Sequence, residues 1–215
     1  QPVKPLPNGT ILCEAEEFQV RTPGWQSITG GENLYAATFA NTFLSRKAAL
    51  SAPADCLETV ATLDIEVMEP GQYLALVRYE SVFRFETQFQ LQIEQDGKVL
   101  LDHHYGIRDS LRIWPFGRKL AVDTPWSLGA VENIVWEGHN TFVALERGRA
   151  TLRLIARDQP SPAARRTVDA ILLTTNITEV SRRIDTEAYL PLDGLLTQAG
   201  DLFLRLRNHS DGSAI

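Results

Sequence analysis

Sulfur is scarce in this 215-residue chain, which has two cysteines, Cys13 and Cys56, and one methionine. Their separation excludes a zinc ribbon and a Cys-x-x-Cys redox pair. As a disulfide they would close a loop of about 43 residues, contributing about 4 kcal/mol through chain entropy. As two thiols, Cys13 would share a buried side with Ala15. Both readings stand. Basic charge is also short: 21 Lys and Arg face 27 Asp and Glu, for a net charge of −6. That deficit argues against nucleic acid as a partner, because phosphate binding needs a basic field. No run approaches the roughly 18 apolar residues of a membrane span, so no membrane partner is expected. Helical periodicity is almost missing. So are the Gly-x-Ser-x-Gly elbow, the phosphate loop and His-Glu-x-x-His, and no carboxylate pair reads as an acid and base facing each other across a cleft.

What is present is a succession of short Val-, Ile-, Leu-, Phe- and Tyr-rich runs broken by Gly, Pro, Asp and Asn, the pattern of an all-β sandwich of two antiparallel sheets. Strands are predicted at 11–18, 34–38, 58–66, 71–79, 87–95, 98–105, 131–137, 141–145, 149–156 and 167–174. Asp96-Gly97 signals a two-residue hairpin, and Glu69-Pro70-Gly71 and Arg147-Gly148 mark turns. The segment 36–50 is the one stretch suited to a helical turn or long loop. Residues 1–10 read as an extension and 11–175 as the sandwich. Residues 176–215 read as a linker that leads either to an added edge strand or to the start of a further domain, the second reading being favoured.

Carboxylates stand where a purely structural strand would have none. In a strand, residues two apart share a side, so Glu14 and Glu16 point together. A like-charged pair is unfavourable unless a cation lies between them. If the strand at 11–18 pairs with that at 167–174, Asp169 supplies a third oxygen, and the set reads as a calcium site joining the terminal strands. The alternative is that Glu14 and Glu16 are solvated edge residues and Asp169 caps a turn.

Four motifs occur in order: Glu14-Ala15-Glu16, then Gly71-Gln72-Tyr73-Leu74-Ala75-Leu76-Val77-Arg78-Tyr79, then Leu145-Glu146-Arg147-Gly148, then Val168-Asp169-Ala170-Ile171-Leu172. Together they resemble the calcium-containing carbohydrate-binding modules of families 6 and 35, in the galactose-binding-like jelly-roll group, over about residues 11 to 175. The resemblance implies structural Ca2+ held by Glu14, Glu16 and Asp169, with backbone carbonyls completing the shell; oxygen-only ligation suits calcium rather than zinc or copper. It also implies a non-catalytic role outside the cytoplasm, holding a polysaccharide or oligosaccharide near a catalytic domain, such as one downstream in the same chain. Thr167 stands where many such modules carry a sugar-contacting asparagine, and a long insertion separates Tyr105 from Val131.

Sugars are gripped by an exposed aromatic plate and planar polar groups. Trp25, after Pro23-Gly24, lies where such modules place a binding aromatic. Trp114 and Trp126 lie in the insertion, and Tyr35 begins a strand near the same end. Arg112, with Arg108 and Arg118, suits carboxylates or sulfates of an acidic glycan. Trp136 reads as core. For Trp25, Trp114 and Trp126 the competing reading is packing over a sandwich end. A catalytic alternative is a polysaccharide lyase or glycosidase using His103 or His104 with Tyr105; the simpler reading of that stretch is a hairpin end with surface histidines.

Overall fold

A computed structural model describes residues 1–29, 45–80, 86–107, 134–138 and 141–176. Its strands are β1 (Ile11–Glu14), β2 (Gln19–Val20), β3 (Gln26–Thr29), β4 (Ala48–Ala52), β5 (Thr59–Val67), β6 (Gly71–Glu80), β7 (Phe89–Gln95), β8 (Lys98–Tyr105), β9 (Ile134–Glu137), β10 (Phe142–Leu145), β11 (Gly148–Ala156) and β12 (Arg166–Thr174). Short 3-10 turns cover Ala15–Glu17 and Ser45–Lys47. The strands form two antiparallel sheets, so the predicted all-β sandwich is the observed fold. Among the described residues no helix is long and apolar enough to cross a membrane.

Side-chain alternation sets the smaller sheet, ordered β2-β5-β11-β7-β8. Leu63, Ile65 and Val67 of β5 are buried, whereas Thr62, Asp64 and Glu66 between them are not. The same beat runs through β7 and β11, as expected for a sheet with one face on the core. The predicted hairpin at Asp96-Gly97 joins β7 to β8, with φ of 51° and 74° at its two turn residues, the left-handed pair that such a turn requires.

The larger sheet follows the path β10-β6-β12-β4-β3, with β1 on β12 and β9 on β6. Here β6 and β12 are buried along almost their whole length, because both faces are covered. Leu12, Leu172 and Leu76 stand side by side in the register of β1, β12 and β6 and are at most 8% exposed. Each contributes about 1.5–3 kcal/mol by burial. One edge of β12 pairs first with β4, through residues 166–168, and then with β1, through residues 170–173. Asp169 falls at the changeover, and there the pairing with β6 slips its register. Such a bulge re-aims a side chain.

Several boundaries differ from expectation. The first strand stops at Glu14 rather than running to residue 18, since Ala15–Glu17 turns and Phe18 N–H bonds back to Ala15 O. β2, β3 and β4 are two to five residues long, and β4 has no exposed residue, so they carry no period-2 signal. The predicted turn-or-loop at 36–50 ends in β4. The extension at 1–10 is tied down, with Val3 bridged in parallel to Ile65. The predicted strand at 34–38, most of the insertion and residues 177–215 lie outside the described residues.

Candidate functional site

β1 ends where β12 bulges, and this brings Glu14 beside Asp169. Glu14 is opposite Ala170 in the β1–β12 register. Both carboxylates are buried, with Glu14 2% and Asp169 0% exposed. Ser45 joins them: its N–H donates to Asp169 Oδ1 at 2.7 Å and its hydroxyl to Glu14 Oε1 at 2.9 Å. Next to it Arg46 adopts a left-handed φ of 49°. Its Nε lies 3.4 Å from Glu14 Oε1, and its Nη1 pairs with Glu17. Arg78 of β6 closes the other side, with Nη1 2.6 Å from Asp169 Oδ2.

Glu16 completes the cluster from the 3-10 turn, not from a strand, so the sharing of one strand side by Glu14 and Glu16 is corrected. The turn nevertheless keeps Glu16 within the field of Glu14 and Asp169. Burial first, and then those two carboxylates, hold the Glu16 pKa at about 8 against the opposing pull of its own backbone N–H and of Arg46. Glu16 Oε2 is buried with no hydrogen-bond partner among the described residues. Burial also raises Asp169, opposed by Arg78 and Ser45, with Glu80 adding to the rise. Among the described residues, Glu14, Glu16, Glu17, Glu80 and Asp169 are set against Arg46 and Arg78, which leaves the cluster negative.

Hard oxygen donors, excess negative charge and the orphaned Glu16 Oε2 suit a hard cation in kind. Drawing them into one shell takes side-chain adjustment, because among the described residues no three His, Cys, Asp or Glu groups already stand close enough to hold a metal ion. Asp169 can contribute without losing Arg78 and Ser45, since a carboxylate offers about four acceptor sites.

The aromatic candidates fare differently. Trp25 is a core residue, corrected from its reading as a sugar plate. It is 2% exposed, its indole N–H donates to Leu154 O at 3.2 Å, and its backbone N–H donates to Thr59 Oγ1 at 3.0 Å. Its loop position hid this, because Gly24 brings the backbone so close to β5 that a Cβ there would lie 2.6 Å from Thr59 Cβ. Thr167 is also buried, its hydroxyl 3.3 Å from that of Ser51, and so presents nothing to a ligand. Tyr35, Trp114, Trp126 and Arg112 lie outside the described residues, as do Arg108 and Arg118. Trp136 falls in β9, opposite Arg78.

Of the lyase-like set, His103 and Tyr105 meet, but inside the sandwich. Tyr105 is fully buried and donates to Ala75 O at 3.2 Å. Burial pushes its hydroxyl pKa far up, the wrong direction for acid–base work near neutrality. His103 packs edge-on against the Tyr105 ring, while His104 faces the opposite side and is exposed. Cys13 and Cys56 are free thiols; Cys13 is in the core, and burial raises its pKa.

Sequence reading missed a polar recess of about 120 Å3 at the end of the smaller sheet, lined by Gln88, Gln90, His104, Arg157, Asp158 and Gln159 above Phe89 and Ile155. Gln90 accepts from Arg157 Nη1 at 2.8 Å and donates to Asp102, and Arg157 Nε reaches Glu58 Oε2 at 2.7 Å. The Gln159 amide oxygen accepts from Gln88 N–H at 2.7 Å. These residues come from three separate loops and strand ends, so no local motif announced them.

No family model matches the chain, and no curated protein matches it. Solved structures align with it at low identity. An isomalto-dextranase of Arthrobacter globiformis T6, complexed with panose, is similar with a TM-score of 0.50 and 12% identity, over 79% of this chain and 24% of that one. The CBM36-1 domain of a multidomain xylanase, from the hindgut metagenome of Trinervitermes trinervoides, aligns with a TM-score of 0.46 and 8% identity, over 77% of this chain and 96% of the domain. A GH26-CBM35 β-(1,4)-mannanase of Podospora anserina aligns with a TM-score of 0.44 and 14% identity, over 78% of this chain and 28% of the enzyme. The chain therefore spans about a quarter of the two enzymes it aligns with, and what it shares with the isomalto-dextranase is the fold alone.

Proposed function

We propose that this chain is a non-catalytic carbohydrate-binding module that holds a polysaccharide or oligosaccharide near a catalytic domain of the same polypeptide, outside the cytoplasm. The observation that carries the reading is the pairing of β1 with β12. It joins the two terminal motifs of the sequence resemblance and sets Glu14, Glu16 and Asp169 around one negative, partly unsatisfied cluster. We assign that cluster to structural Ca2+, whose chemistry would be to neutralise the carboxylates and clamp the terminal strands. The glycan contacts are assigned to Tyr35, Arg112, Trp114 and Trp126. The failure of Tyr105 to present an acid–base group supports a binding role over a lyase.

Calorimetric titration with neutral and acidic polysaccharides tests the reading. Binding without turnover is expected, weakened at least tenfold in Trp114→Ala or Trp126→Ala. Absence of binding across the panel, or release of new reducing or unsaturated ends, overturns it.

A further inference from the structure

Arg166 is a buried cation held by hydrogen bonds to uncharged acceptors. It is 1% exposed, and among the described residues it forms no ion pair within 4 Å. A charge so placed is costly unless its hydrogen bonds are satisfied. Arg166 satisfies them with neutral acceptors from three different connections. Its Nε donates to Gln88 O at 2.8 Å. Its Nη1 donates to Pro53 O and to Cys56 Sγ, the latter at 3.3 Å. Its Nη2 donates to Arg157 O. Four of the five N–H donors of a guanidinium are thus used on the β4–β5, β6–β7 and β11–β12 connections. Burial lowers the Arg166 pKa, opposed by Cys56 and Asp158.

Two of these acceptors belong to the walls of the polar recess: Gln88 and Arg157 both line it. The same two connections are zipped together further out, where Glu86 N–H donates to Pro162 O and Ala164 N–H to Glu86 O, both at 2.9 Å. Gln159 adds a rung by accepting from Gln88 N–H at 2.7 Å, and it braces its own connection by donating to Ala164 O at 2.6 Å. The outer rungs join two connections only. Arg166 reaches the third as well, at Pro53 and Cys56 on the buried side, whereas Arg157 meets it on the exposed side, at Glu58.

We propose that Arg166 is the positioning residue of this end of the sandwich: its planar guanidinium fixes three connections from behind and so sets the spacing of the amide, carboxylate and guanidinium groups around the recess. The proposal rests on the carbohydrate-binding reading only for its effect on affinity; the ordering of the three connections stands by itself. Lysine cannot substitute, since three tetrahedral donors on one nitrogen do not match acceptors spread around a plane.

Hydrogen exchange of the full chain, followed by mass spectrometry, is the test. In Arg166→Lys, exchange is expected to rise on the order of tenfold or more at 53–58, 86–88 and 157–164 together, while β5, β6 and β11 keep their protection. In Arg166→Ala, low-millimolar guanidinium is expected to restore protection in all three connections, and urea, neutral and of the same shape, is not. An even rise through every strand, an unchanged pattern in the three connections, or rescue by urea as readily as by guanidinium overturns the proposal. If the alanine variant does not fold, the lysine variant decides. A wild-type chain that binds no glycan sinks the carbohydrate reading and leaves the exchange pattern to be judged on its own; one that binds is expected to lose about tenfold in affinity in Arg166→Lys.

Discussion

Arg78 holds Asp169 across the bulge where β12 slips against β6, with Nη1 2.6 Å from Oδ2 and both side chains buried. The pair belongs to two adjacent strands of the larger sheet, and it feeds one positive charge into a cluster otherwise dominated by carboxylates.

Removing one partner strands the other. Arg78→Met or Asp169→Leu alone is expected to destabilise by about 3–5 kcal/mol, and the double variant by less than the sum. Urea unfolding of the three variants checks this, and additive losses would show the pair to be uncoupled.

Chelation is expected to lower the melting temperature, since a cation bound only by the folded state stabilises it. Glu16→Gln is expected to blunt the calcium response while raising the melting temperature of the chelated protein by about 2–4 °C for each kcal/mol of relieved repulsion. A melting temperature indifferent to chelator and calcium alike rejects the assignment.

The cluster also gives a pH signature. The Glu16 pKa of about 8 lies above its ordinary 4.5, so between those values the folded state keeps a proton that the unfolded chain releases. Stability of the chelated protein should therefore be highest below about 4.5 and fall as pH rises through about 8. Glu16→Gln should flatten this fall, as should saturating calcium, which holds the carboxylate ionised. Melting scans across that range read the slope directly; a flat profile in the chelated wild type contradicts the burial of Glu16 Oε2 beside Glu14 and Asp169.

Trp25 should behave as a core residue. Trp25→Ala is expected to cost about 3–5 kcal/mol, and Trp25→Phe about 1 kcal/mol for the lost bond to Leu154, with glycan affinity of the phenylalanine variant unchanged. Loss of affinity in a stably folded Trp25→Phe protein would return Trp25 to the ligand surface.

Two glycines with similar φ should part company. Gly97, at φ 74°, has open space where a Cβ would go, whereas at Gly106, at φ 75°, a Cβ would meet Thr87 O at 2.3 Å. Gly97→Ala should cost about 1 kcal/mol for the left-handed backbone alone, and Gly106→Ala distinctly more, as judged by denaturant midpoints. Equal losses would mean that the contact at Thr87 relaxes freely.

Where one face of a sheet meets water, its strands could be read off the sequence: β5, β7 and β11 alternate, and Asp96-Gly97 marks the hairpin that leads from β7 into β8. The last strand was found through its apolar run, though such a run does not reveal which neighbours it has. β2 to β4 escaped because strands of two to five residues give too little period to detect. At the site, Glu14, Glu16 and Asp169 were found from charge out of place, but their geometry was misjudged at Glu16, because a 3-10 turn of three residues leaves no sequence period. Trp25 misled because a loop position says nothing about whether the loop folds inward. Arg166 and the recess were invisible, since their partners lie 9 to 113 residues away.

β12, the last strand among the described residues, is also one of the most central. β12 lies between β6 on one side and β1 and β4 on the other, and its partner Ile11 pairs with Leu173. During synthesis, neither edge partner can find its place until residues beyond 170 have left the ribosome, so the larger sheet must close late and over long chain separations. That makes slow assembly the natural expectation, and it makes the nascent chain, with Leu12 and Leu76 still uncovered, the species most in need of protection from aggregation.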